Sequence, residues 1–127
     1  MSCLDTDLLV ALLRGDAEAK KFVSDNQGEL RTTVITACEL FHGAFKARNP
    51  RHVEQVRGLL STLEVLPLSP DAAEKFGQLN ASLHTDGKTV ADFDLLIAST
   101  CIANGEVLVT RNGRHFEKIR ELKTRKW

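Results

Sequence analysis

The sequence predicts a single α/β domain in which a short parallel sheet is flanked by helices. Three observations predict it. Short apolar or β-branched runs recur at 2–5, 32–35, 64–66 and 107–109. Longer stretches with apolar residues at helical spacing separate them. No repeat or Pro/Gly-rich linker divides the 127 residues, so one domain (1–127) is expected.

The elements follow in order. Ser2 to Asp5 reads as a brief buried strand, and Leu8 to Leu13 as a helix stopping near Gly15. Ala17 to Asp25 predicts a second short helix, and Thr32 to Ile35 a second strand. Thr36 then opens the clearest helix, with Ala37, Leu40, Phe41, Ala44 and Phe45 on one stripe, ended by Asn49-Pro50. Val53, Val56, Leu60 and Leu63 mark another amphipathic helix before a strand at Glu64-Val65-Leu66. Ser69-Pro70 begins the helix carrying Ala72, Phe76, Leu79 and Leu83, and Gly87 closes that region. Asp92 to Asn104 is an almost wholly apolar helix with Gly105 at its stop, followed by a strand at Val107 to Val109. A last helix is expected from Arg114 to Glu121.

Composition narrows the class. Hydrophobic residues make up 43% and charged residues 27%, enough for a packed core and a soluble surface. No apolar run approaches the ~18 residues that span a bilayer. The opening residues show no secretory signal, so a cytoplasmic location without membrane attachment is expected. Cys3, Cys38 and Cys101 are odd in number and form no C-x-x-C pair, which argues for buried thiols rather than disulfides or a zinc cluster. Net charge is +0, yet 111–127 carries seven Lys and Arg against Glu117 and Glu121. That basic end could meet phosphates or simply be solvated.

Three acids hold similar places in this plan. Asp5 sits where the first strand gives way to a helix, Glu39 one turn into the helix after the second strand, and Asp94 in the first turn of the apolar helix. Functional groups of an open parallel sheet gather at the carboxyl ends of its strands, so the three can share a pocket. Each has a local explanation as well. Asp5 can cap its helix, Thr36-Ala37-Cys38-Glu39 matches a capping box, and Asp92 or Asp94 can complement a helix dipole. Converging carboxylates are costly unless a cation neutralises them. Hard oxygen donors favour Mg²⁺, with Mn²⁺ as the alternative, and such a site suits phosphodiester hydrolysis.

Four motifs then resemble a known family. Cys3-Leu4-Asp5-Thr6-Asp7-Leu8-Leu9 resembles its opening signature, and Thr36 to Ala44 the helix bearing a Glu before an apolar residue. Asp94-Leu95-Leu96-Ile97-Ala98 matches a third motif, and Leu108-Val109-Thr110-Arg111-Asn112 through Phe116 a fourth. In this order and length they resemble PIN domains, and within them the VapC toxins of VapBC toxin–antitoxin pairs. The resemblance implies a PIN-like three-layer sandwich and a Mg²⁺-dependent endoribonuclease acting on structured RNA such as tRNA or rRNA. It implies inhibition by a cognate VapB-type antitoxin, and commonly a homodimer.

Carried onto this chain, the resemblance makes Asp5, Glu39 and Asp94 catalytic, with Asp5 and Asp94 as metal ligands. Glu39 would position water or bind the ion through one. Thr6 and Thr110 are supporting hydrogen-bonders, and Arg111 and Arg114 candidate phosphate contacts. Asp7 is expected to face away or cap the helix, because the family often has Asn there. Many PIN domains carry a fourth acid where this chain has Asn112. An amide orients water or a carboxylate but adds no negative charge, which counts against a full two-ion site. Asp92 is a candidate for added charge.

Rival readings are specific. Asp5-Thr6-Asp7 also looks like the D-x-D of haloacid-dehalogenase-type phosphatases, but 107–112 offers no paired acidic motif. Glu39-x-x-His42 resembles half of a di-iron site, of which only one copy exists. His52, His84 and His115 share no spacing, Phe41 and Phe45 fit a core or partner groove, and Trp127 is expected at an exposed end. From a different class, a catalytically silent PIN-like module that binds RNA or a partner fits Asn112 and the zero net charge.

Overall fold

The computed structural model describes residues 2–28 and 30–127. Its strands are β1 (Ser2–Leu4), β2 (Leu30–Thr33), β3 (Glu64–Leu66), β4 (Val107–Val109) and β5 (Thr124–Arg125). They form one sheet in the order β3-β2-β1-β4-β5, parallel throughout. The helices are α1 (Thr6–Leu13), α2 (Ala17–Asp25), α3 (Val34–Lys46), α4 (Pro50–Ser61), α5 (Pro70–Thr85), α6 (Asp92–Ala103) and α7 (Gly113–Phe116).

Strand alternation divides the core in two. Leu4 and Val109 pack with Leu8, Leu9, Phe22, Leu40 and Val56, from α1 to α4. Their neighbours Cys3 and Leu108 face the other way, against Leu83, Leu95, Ile97 and Phe116. The sheet is thus the middle of three layers. The chain runs outward from β1 through β2 to β3, then returns to the other side of β1 through β4. The switch in direction leaves a crevice beyond the carboxyl ends of β1 and β4.

Two boundaries depart from the sequence reading. Strand β2 ends at Thr33, not Ile35, because the Thr33 hydroxyl accepts from the Thr36 amide at 3.1 Å and starts α3 at Val34. Glu39 is therefore outside any capping box. The expected last helix, 114–121, is one turn long, and the chain continues into β5, which the sequence did not suggest. Leu108 and Thr110 amides donate to the Lys123 and Arg125 carbonyls at 2.9 Å each, so the basic end is partly sheet. Cys38 is exposed, unlike the buried Cys3 and Cys101. No helix among the described residues is long and apolar enough to cross a membrane.

Candidate functional site

The carboxyl ends of β1 and β4 place Asp5 and Thr110 side by side. The Asp5 amide donates to the Val109 carbonyl at 3.0 Å, extending the sheet one residue beyond β1. This buries the Asp5 side chain at the start of α1. Its Oδ1 accepts from the Thr6 amide at 2.8 Å and its Oδ2 from the Thr110 hydroxyl at 2.7 Å. Thr110 is itself held by the Asn112 amide, which donates to its Oγ1 at 3.0 Å.

Glu39 reaches the same place from α3. Its Oε1 accepts from the Thr6 hydroxyl at 2.6 Å, and that hydroxyl lies 3.1 Å from Thr36 Oγ1. Asp94 arrives on the first turn of α6, with its Oδ2 3.4 Å from His115 Nδ1. A cleft of about 550 Å³ is lined by Asp5, Thr6, Glu39, Asp94 and Asn112, which four separate segments contribute. Asp7, Arg14, Asp16 and His115 line it as well.

Electrostatics follow from that convergence. Burial, reinforced by Asp7 and Asp94, pushes the Asp5 carboxyl up to about 6, against the lowering effect of its bonds to Thr110 and Thr6. Burial also raises Asp94, partly offset by His115. Burial is the main cause of both shifts, and neighbouring carboxylates add to it at Asp5 alone.

The donor set is all oxygen apart from His115. Among the described residues, no three His, Cys, Asp or Glu side chains stand close enough to form a metal cage by themselves. Thr6 donates to Glu39, and His115 lies against Asp94, within the shared cleft. One or two carboxylates supplemented by waters is the usual protein share of a Mg²⁺ site. The buried, charge-crowded Asp5 with Asp94 nearby fits that share.

Several expectations change. Asp7 does not face away: its Oδ2 accepts from the Arg111 amide at 2.7 Å, and its Oδ1 lies 3.4 Å from Trp127 Nε1. Trp127 is half-buried, with the Arg111 guanidinium 3.5 Å above its ring. Arg111 also donates to the Trp127 carbonyl at 3.0 Å and to Glu18. It is engaged in this network and is not free for phosphate. Neither Arg114 nor Asp92, both exposed, lines the cleft.

His115, Asp16 and Arg14 were missed as site residues. The signal for His115 was its position three residues after Asn112 and six after the end of β4. Asp16 and Arg14 carried no such signal, because only the return of the chain after α1 brings them to the rim.

Comparison with known proteins identifies the family. The PIN domain model matches residues 2–122. The tRNA(fMet)-specific endonuclease VapC of Shigella flexneri is 32% identical over 126 residues, spanning 98% of this chain and 96% of that protein. Its Salmonella typhimurium namesake is 33% identical over the same spans. The crystal structure of DNA-bound VapBC from Salmonella typhimurium superimposes with a TM-score of 0.93 at 32% identity, covering 99% of this chain and 97% of that one. VapBC from nontypeable Haemophilus influenzae gives 0.88 at 25% identity, with the same coverage. The haloacid-dehalogenase reading of Asp5 and Asp7 therefore falls away. With its four motifs joined at one acidic cleft, the chain belongs to the PIN-domain family and, within it, to the VapC ribonucleases.

Proposed function

We propose that this chain is the toxin of a type II toxin–antitoxin pair, a Mg²⁺-dependent endoribonuclease that hydrolyses phosphodiester bonds in structured RNA, tRNA or rRNA. The observation that carries the reading is the buried Asp5 carboxylate, raised to about 6, opening with Asp94 and Glu39 into one cleft. When bound, Mg²⁺ (or Mn²⁺) supplies Lewis acidity toward water and compensates charge that grows on phosphate oxygens.

The chain's residues have distinct parts in this reading. Asp5 and Asp94 would hold the ion. Thr110 orients Asp5 through its hydroxyl, which donates to Oδ2. Thr6 keeps Glu39 beside the cleft, where its second oxygen can orient the attacking water. Asn112 lines the wall without adding charge, which favours one ion over two.

The VapBC complexes among the structural relatives support a VapB-type antitoxin as inhibitor, and a homodimer belongs to the same proposal. The test is cleavage of total tRNA and rRNA with Mg²⁺ and with EDTA. Asp5→Asn and Asp94→Asn are expected to lower the rate at least 100-fold, as loss of a direct ligand does. Equal cleavage by those variants would remove the proposed site. A wild type that binds these RNAs in Mg²⁺ yet leaves them intact would make the chain a silent RNA-binding module.

A further inference from the structure

The cleft has to receive a polyanion, yet carboxylates dominate its wall. Among the described lining residues, Asp5, Asp7, Asp16, Glu39 and Asp94 stand against one permanent cation, Arg14. Arg14 follows α1 at its C-cap. Its amide donates to the α1 carbonyls of Val10 and Ala11, so its main chain is fixed. The side chain is exposed and, among the described residues, makes no ion pair and no hydrogen bond. A guanidinium that served only to balance the acids would be paired with one of them. Arg14 also lines an adjoining groove with Leu13, Leu40 and Ala47, so it stands where the acidic cleft opens outward. The other candidate arginines are placed differently: Arg111 is engaged with Glu18 and Trp127, and Arg114 lies off the cleft.

We propose that Arg14 is the phosphate-gripping residue of this protein, binding a backbone phosphate of an RNA that lies along the cleft. A guanidinium presents two parallel N–H donors to phosphate oxygens, and this one reaches them without breaking an existing pair. The inference rests on the RNA reading above for the identity of the polyanion and on nothing else in it.

The test is fluorescence anisotropy of a labelled RNA hairpin in Mg²⁺ across a salt series, on an Asp5→Asn background that leaves the RNA intact. Adding Arg14→Ala is expected to weaken binding about tenfold, the scale of one hydrogen-bonded charge contact. The slope of log Kd against log salt should also fall by about 0.7 to 0.9, the range for one phosphate contact between single strand and duplex. Arg14→Lys should keep the slope while losing part of the affinity, because it keeps the charge but not the fork. Arg14→Gln repeats the measurement should alanine unfold the chain.

Unchanged affinity and slope would overturn the proposal, as would an affinity loss with no change in slope, which marks a structural effect. A cation that serves only a protein inhibitor gives the first of these results. The two readings fail separately. Arg14-dependent RNA binding without wild-type cleavage leaves this inference standing and removes the nuclease; cleavage with an Arg14-independent slope does the reverse.

Discussion

Asp5 shows how one residue carries opposed demands. Its backbone continues the sheet, which buries its side chain, and burial raises its carboxyl to about 6. An unfolded aspartate releases its proton near ~3.9. Between those values the native state holds a proton that the unfolded state has lost, so stability falls as pH rises through that window. The cost is absent below about 4 and complete above about 6, on the order of 3 kcal/mol for two units. Asp5→Asn should abolish this dependence. Denaturant midpoints in EDTA should then match wild type at pH 4 and exceed it at pH 7; a variant that tracks wild type at both would refute the assignment. Metal-dependent cleavage should rise through pH 6, because the ion competes with the Asp5 proton. On the proposed function, the same position would exchange stability for metal binding.

At the scale of elements, the junctions decide whether the acids meet. Thr33 ends β2 and caps α3 through its hydroxyl, and it is fully buried. That entry sets the angle at which Glu39, on the next turn, reaches Thr6. Thr33→Ala should cost about 1 kcal/mol of stability, the usual worth of a cap, with Thr33→Ser largely restoring it. A denaturation series measures both, and a neutral alanine variant would deny the cap its role. The Thr33 cap was misread from sequence because Thr32, Thr33 and Thr36 all have the chemistry of a cap. Spacing alone does not choose among them; the ladder pairing of Thr33 with Leu66 does. Strand β5 was missed for a similar reason. Its two residues carry no periodicity, and only the free edge of β4 recruits them.

At the scale of the molecule, the cleft gathers carboxylates that folding brings together and that the proposed cation would neutralise. Mg²⁺ binding to the native state alone should raise its stability by RT ln(1 + [Mg²⁺]/Kd), about 2.7 kcal/mol at a hundredfold excess over Kd. The thermal midpoint should therefore climb with Mg²⁺ in the wild type and stay flat in Asp94→Asn. A midpoint indifferent to Mg²⁺ in both would count against any ion in this cleft, whatever the cleavage assay reports. Core truncation provides the contrast. Leu95→Ala, in the fully buried face of α6, should cost about 2–5 kcal/mol with or without the ion.

Most elements were legible in the chain itself. Apolar spacing, the Asn49-Pro50 and Ser69-Pro70 junctions and Gly15, Gly87 and Gly105 with positive φ act over a few residues, so they are written where they operate. The placement of Asp5 at a strand end, Asp94 in the first turn of a helix and Glu39 a turn further into its helix was legible for the same reason. What tertiary structure alone decided was the company those acids keep. Asp7 turned inward beneath Arg111 and Trp127, His115 beside Asp94, and Arg14 unpaired at the rim depend on contacts spanning up to 120 residues of chain. Strand order and crossover direction settle such contacts, and no local pattern encodes either one.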